Sequence, residues 1–304
     1  MVKEYKKKYD VIVVGAGHAG IEAALAAARL GCRTLLLTMN VDTVGFMSCN
    51  PAMGGPAKSQ LIREVDALGG QVGISTDLTF LQMKMLNATK GPAVHALRAQ
   101  SDKIQYHVTM RQVIDGQANL DLKQGMVEEL IVDRNNHIKG VRTKLNAIFR
   151  AKTVVITTGT FLKGKIHIGL QNMPAGRIGE APAEHLSDSL KKLGIKLGRL
   201  KTGTTPRLDR RTVDFSKMTI QPGDDPPQLF SFNWEYKQYD YNYMDNPLLN
   251  TPQVHCYLTW TNQKTHKIIK ANLNRSPLFT GLIDRLGPRY CPSIEDKVVR
   301  FPDK

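Results

Sequence analysis

Three glycines, at positions 15, 17 and 20, and two loop cysteines, Cys49 and Cys291, are the residues whose types and spacing suit chemistry. In Gly15-Ala16-Gly17-His18-Ala19-Gly20 each glycine has its own task. Gly15 permits a tight turn, Gly17 lets bare main chain approach a pyrophosphate, and Gly20 lets a following helix pack closely on a sheet. A helix opening there offers unpaired N–H groups and the positive end of its dipole to phosphate oxygens. Taken without its flanks, the same run is only a glycine-rich packing turn.

Cys49 lies in Met47-Ser48-Cys49-Asn50-Pro51-Ala52-Met53-Gly54-Gly55. It is a candidate nucleophile or redox thiol, with an inert half-buried cysteine as the alternative. The next helix, with Pro56 in its first turn and an end near Leu68, would lower the thiol pKa if its N-terminus lies close. Cys291 lies in Gly287-Pro288-Arg289-Tyr290-Cys291-Pro292-Ser293-Ile294-Glu295-Asp296. Pro292 fits a first helical position with Glu295 and Asp296 in the first turn, which puts Cys291 at the N-cap, where a thiolate is favoured and Arg289 adds positive charge. The alternative there is a capping loop without chemistry. Cys32 reads as inert. None of the four cysteines forms a CxxC pair, against a zinc finger or a thioredoxin-type disulfide, and so few thiols in 304 residues fit a reducing compartment.

These residues need elements to hold them. Val11–Val14 reads as a buried parallel strand, residues 21–30 as an alanine-rich helix stopped by Gly31, and Thr34–Thr38 as a second strand. Strand, glycine turn, helix and strand form the βαβ unit of a dinucleotide-binding fold. Thr38 stands where an Asp or Glu usually receives a ribose hydroxyl. Residues 92–114 read as helix, and 120–124, 127–133, 138–144 and 147–150 as a β-meander. Val154–Thr157 is another buried strand, ending at Gly159. That order resembles the second cofactor-contacting segment of two-dinucleotide flavoproteins and favours FAD over NAD in the main site. A helix is expected near 183–193. Beyond about 200 the composition shifts, marking a second domain or a long insertion.

The net charge of +15 points to an anionic partner. Residues 191–211 hold eight Lys or Arg against Asp209 alone, which is either a phosphate-binding run or a solvated face. Aromatics from Phe230 to Tyr243 are read as an edge strand or domain contact ahead of a base-stacking surface. Asp10, His18 and Glu22 break up the N-terminal apolar stretch, so no signal or membrane segment is expected and the protein is placed in the cytoplasm.

Together, GAGHAG (15–20), MSCNPAMGG (47–55), EVDALGG (64–70), NATKGPAVHALRAQ (87–100), GTFLKGKIHIG (159–169), RLKTGTTPR (199–207) and GPRYCPSIEDKVVRF (287–301) resemble the MnmG (GidA) family. The resemblance covers the whole chain but only the N-terminal half of the family's length. It implies an α/β fold: a Rossmann-type, glutathione-reductase-like FAD-binding domain with a β-meander and an inserted second α/β domain. The FAD domain is expected over 1–200, its closing strand lying beyond the C-terminus, and part of an NADH and substrate domain over 201–304. The implied activity joins an aminomethyl or carboxymethylaminomethyl group to C5 of wobble uridine 34 of tRNA. It uses FAD, NADH and methylenetetrahydrofolate, and the protein acts as a homodimer with the GTPase MnmE.

By motif match, Gly15, Ala16, Gly17, His18, Ala19 and Gly20 hold the FAD pyrophosphate. Thr38, Val127, Gly159 and Ala183 belong to the same cofactor site, Val127 and Ala183 through main chain. Gly287, Pro288, Arg289, Tyr290, Pro292, Ser293, Ile294, Glu295, Asp296, Lys297, Arg300 and Phe301 map to the nicotinamide segment, and Cys49 and Cys291 to the catalytic cysteines. The chain alone is expected to bind FAD poorly and to be inactive. The rival readings are a folate- and FAD-dependent tRNA uridine-54 methyltransferase and an inactive nucleotide-binding fragment.

Overall fold

The computed structural model describes residues 3–234, 247–283 and 293–301. The chain divides into two compact units: Met1–Gly159 with Ile220–Cys256, and Thr160–Thr219 with Tyr257–Lys304. The first is built on a seven-stranded sheet. Its centre is β2 (Tyr9–Val14), linked through α1 (His18–Arg29) to β3 (Thr34–Thr38), which pairs parallel to β2. The sequence explains each part. The apolar run of β2 is covered on both faces, Ile12 and Val13 having no exposed surface. Gly20, Ile21, Ala24, Leu25 and Ala28 form the buried stripe of α1, at the spacing by which one helix face meets a sheet. Gly31, at φ +85°, provides the left-handed exit expected of it.

In chain order the remaining elements of this unit are β1 (Lys3–Glu4), β4 (Ala52–Gly54), α2 (Ser59–Ala67), α3 (Val72–Asp77), β5 (Phe80–Leu86), β6 (Ala96–Ser101), α4 (Lys103–Gly116), β7 (Leu120–Gln124), β8 (Val127–Val132), β9 (Ile138–Thr143) and β10 (Ala147–Ile156). The main sheet runs β7-β3-β2-β10-β9-β8, with β1 beside β10. Strands β7, β3, β2 and β10 are mutually parallel, whereas β10, β9 and β8 pair antiparallel. A second, antiparallel sheet has the order β4-β6-β5.

Three expectations change. Residues 92–114 are not one helix, because 96–101 form a strand between β4 and β5, and α4 starts only after Asp102, whose carboxylate accepts from the N–H groups of Ile104 and Gln105. Residues 120–124 belong to the parallel sheet rather than the meander. Strands expected at 147–150 and 154–157 are one element, β10, which pairs with β9 through its first half and with β2 through its second.

One core cluster joins Val13, Ile21, Leu25, Leu36, Val44, Met47, Tyr106 and Met110. Another joins Phe80, Met83, Leu97, Leu229, Phe230, Trp234 and Leu249. Of the aromatic stretch, Phe230 and Trp234 are thus core residues; Tyr236, Tyr239, Tyr241 and Tyr243 lie outside the described residues. The second unit holds the hairpin β11 (Lys165–Ile168) and β12 (Gln171–Pro174), with α5 (Leu186–Lys192), α6 (Gln263–Ala271) and α7 (Ile294–Arg300). Two short strands, β13 (Thr219–Gln221) and β14 (Cys256–Leu258), pair with each other. Among the described residues no helix is long and apolar enough to cross a membrane.

Candidate functional site

The glycine run turns sharply between β2 and α1. Gly15 sits at φ +105°, which an L side chain rarely adopts, and a Cβ there would come 2.5 Å from Thr157 O. A Cβ on Gly20 would collide with Gly15 O. Gly17 is different: a Cβ there meets no atom within 4 Å. Two of the glycines are therefore needed for packing, and the third borders open space. Gly17 is also the N-cap of α1, and no side chain caps the helix. The first helical bond runs from Ile21 N–H to Gly17 O (2.9 Å), so the preceding N–H groups of the turn have no carbonyl of their own helix to meet. Bare main chain, an uncapped helix end and free space beside it fit the pyrophosphate of a dinucleotide.

Thr157, read from the sequence only as the end of a cofactor-contacting strand, locks this turn. Its N–H donates to Val14 O, and its hydroxyl lies 2.9 Å from Val14 O and 3.0 Å from Gly15 O. The signal was present in the Thr-Thr-Gly that follows β10, because a hydroxyl is the short group able to reach the neighbouring strand's last carbonyls. Gly159 follows at φ +55° with nothing near its Cβ direction. His18 turns inward: its ring lies 5.6 Å from that of Tyr106, and burial holds its pKa below the usual histidine value. His18 Nε2 and Tyr106 OH are both buried without a hydrogen-bond partner among the described residues. Ala16 is buried and Ala19 exposed.

Thr38 ends β3 and is 8% exposed, its hydroxyl meeting Asn40 O at 3.3 Å. Val127 opens β8 and is buried, in register with Thr143. In the second unit Ala183 has both main-chain groups engaged: its N–H donates to Phe161 O (2.9 Å) and its carbonyl accepts from Lys163 N–H (2.8 Å).

The thiol loop is tied to the glycine turn. Gly45 N–H donates to Ala16 O (2.9 Å), Val44 O meets His107 Nδ1 (2.6 Å), and Arg111 donates to Val41 O (2.9 Å). At the far end Pro51 O accepts from Ser101 N–H (2.8 Å). Cys49 lies between these anchors, half-buried and in no disulfide. The helix expected to carry Pro56 in its first turn begins instead at Ser59, after the short strand β4, and ends at Ala67 beside the expected Leu68.

At the other candidate thiol, α7 starts at Ile294 and its N-cap is Ser293, which forms a reciprocal capping box with Asp296. The cap position expected for Cys291 therefore belongs to Ser293. Glu295 and Asp296 occupy the first turn as expected, Glu295 accepting from Ser276 (3.2 Å). Lys297 and Arg300 lie on the same helix, and Phe301 is its exposed C-cap. Gly287, Pro288, Arg289, Tyr290, Cys291 and Pro292 lie outside the described residues. In the 191–211 run every Lys and Arg except Lys201 is exposed.

A parallel βαβ unit with a bare glycine turn, continued into a meander, defines a dinucleotide-binding α/β protein. The family described as Glucose inhibited division protein A matches residues 10–304, and the chain belongs to that family. It is 54% identical over 301 residues to the tRNA uridine 5-carboxymethylaminomethyl modification enzyme MnmG of Geobacter sulfurreducens, and 55% identical over 301 residues to the protein of the same name from Thermodesulfovibrio yellowstonii. Each alignment covers 99% of this chain and 46% of the relative, so the chain spans about half the length of the curated relatives it matches. The form I crystal structure of Aquifex aeolicus GidA superposes with a TM-score of 0.86 at 51% identity, over 98% of this chain and 49% of that one. The form II crystal gives 0.84 at 48%, over 98% and 46%.

Proposed function

We propose that this chain is the cofactor-binding part of a flavin-dependent enzyme that, with the GTPase MnmE, adds an aminomethyl or carboxymethylaminomethyl group to C5 of wobble uridine 34 of tRNA. The observation that carries this reading is the Gly45–Ala16 hydrogen bond, which ties a cysteine loop to an uncapped, side-chain-free phosphate turn. The names of the relatives support the substrate, tRNA uridine.

Gly15–Gly20 hold the FAD pyrophosphate by main-chain N–H groups, and Thr38, Val127 and Gly159 belong to the same cofactor site. Residues 287–301 take NADH. Residues 1–200 act as the FAD domain and 201–304 as the nicotinamide and substrate domain. The bound flavin supplies hydride transfer, and methylenetetrahydrofolate is the one-carbon donor. The chain's own contribution is orientation and a thiolate. C5 of uracil is a poor nucleophile; a cysteine thiolate, from Cys49 or Cys291, adding at C6 makes C5 enolate-like and able to attack. The exposed basic run of 191–211 suits the phosphates of tRNA. The protein works as a homodimer in the cytoplasm.

The test has two arms. An absorbance scan, with identification of the cofactor released on denaturation, is expected to yield FAD. In a strain lacking the gene, tRNA is expected to lose its modification at position 34 and keep position 54. Complementation with Cys49→Ser or Cys291→Ser variants should leave flavin content intact and position 34 unmodified. Loss at position 54, or full modification with both serine variants, would overturn the reading.

A further inference from the structure

Two buried carboxylates play no part in the nucleotide or thiol chemistry described above. Asp77, the last residue of α3, has no exposed surface, and Asp66, near the end of α2, is 4% exposed. Asp77 Oδ1 accepts from Phe230 N–H (2.8 Å), and its Oδ2 accepts from Ser231 N–H (2.8 Å) and Trp234 Nε1–H (2.9 Å). Asp66 Oδ2 accepts from Phe232 N–H (2.8 Å). All four donors come from residues 230–234, at least 153 positions further along the chain. A buried carboxylate is costly unless hydrogen bonds satisfy it, and bonds to a charged acceptor are the strong ones. The arrangement is therefore a clamp: two short helices grip one distant segment by three main-chain N–H groups and one indole. Both oxygens of Asp77 and one of Asp66 are engaged, while Asp66 Oδ1 is buried without a partner among the described residues.

The clamped segment carries Phe230 to a particular place. Phe230 has no exposed surface, and its ring lies against Gly54, where a Cβ would fall 2.7 Å from Cζ. Gly54 is the last residue of β4, and β4 begins three residues after Cys49. Met53, beside it, packs against the same cluster as Phe230. To the main-chain anchors of the thiol loop at Val41, Val44, Gly45 and Pro51 the Phe230 ring thus adds a support beside its exit.

We propose that Asp66 and Asp77 are positioning residues for Cys49: by clamping residues 230–234 they seat Phe230 against Gly54 and fix the strand that leaves the thiol loop. This rests on the reading of Cys49 as a reactive residue.

The experiment measures alkylation of Cys49 by iodoacetamide in the full chain at about pH 8, with Cys32 as internal reference, each followed by peptide mass analysis. Amide exchange at Phe230 and Ser231 is recorded in parallel. Asp77→Asn removes one acceptor oxygen and puts an N–H₂ group among N–H donors. Phe230→Leu keeps an apolar residue but removes the ring. In both variants the Cys49-to-Cys32 rate ratio should rise about tenfold, the effect of ~1.4 kcal/mol of local opening. Exchange at residues 230 and 231 should also quicken in Asp77→Asn. An unchanged ratio, or equal acceleration at both cysteines, overturns the proposal. If Asp77→Asn does not fold, the ratio in Phe230→Leu decides alone. None of these readouts needs flavin, so their failure would leave the cofactor reading to its own test by absorbance.

Discussion

At the residue scale, the three glycines of one motif separate into different physical roles. A methyl group on Gly20 would meet Gly15 O, and one on Gly17 would meet nothing. Gly20→Ala is therefore expected to cost about 1–3 kcal/mol of stability, the usual range for overpacking, in a urea titration. Gly17→Ala meets no steric clash and should lose only the smaller cost of an alanine N-cap, about 0.5 kcal/mol, while lowering flavin affinity at least about tenfold, since its methyl would enter the space a phosphate needs. Equal effects of the two variants on folding would contradict this division.

Asp77 offers a pH test. Burial, opposed by the N–H groups of Phe230 and Ser231 and the indole of Trp234 and reinforced by Asp66, raises its pKa from 3.8 to about 7. The folded chain then holds the proton more tightly than the unfolded chain. Its contribution to stability is present near pH 4 and is lost as the pH climbs through about 7. Over that window the wild type should lose stability relative to Asp77→Asn, as measured by chemical denaturation at several pH values. Parallel curves would remove the assignment. The sequence showed the glycines plainly, because their spacing is the signal. It could not show Asp77, whose partners are two main-chain N–H groups and an indole of a segment far along the chain.

At the element scale, legibility followed the length and uniformity of the pattern. Strands β2 and β3 and helix α1 were readable because a β-branched run, an alanine-rich stripe and a glycine stop agree with one another. Strand β6 was not, because Ala96–Ser101 holds helix-tolerant residues and becomes a strand only by pairing on both sides with β4 and β5. The boundary signal was Asp102, which caps α4 by accepting from two N–H groups. Asp102→Ala should cost about 1 kcal/mol and Asp102→Asn much less, measured by the urea midpoint. An Asn variant as unstable as the Ala variant would mean that the carboxylate does something other than cap. Strand β10 was split in the sequence reading because its two halves serve different neighbours, one antiparallel and one parallel, and only the folded sheet joins them.

At the scale of the whole molecule, the positive charge was evident from composition, and its display was not. The structure leaves nearly all the basic side chains of 191–211 in solvent, where phosphate contacts are made. If they bind tRNA, replacing Lys192 and Lys196 by Gln should weaken binding, and each change should reduce the slope of log affinity against log salt by about one. Flavin content should not change, and an unaltered slope would assign the run to solvation instead. The link between the candidate sites was equally hidden, since no spacing rule connects Gly45 to Ala16. That link has an electronic consequence. The amide between Ala16 and Gly17 is planar, with its carbonyl and its N–H on opposite sides. Its oxygen already receives Gly45. An anion drawing on the Gly17 N–H would polarise the same amide and strengthen the bond on the other side, because chained hydrogen bonds reinforce one another. Occupancy at the turn would then be felt at the sulfur loop through a single conjugated group, with no atom having to travel.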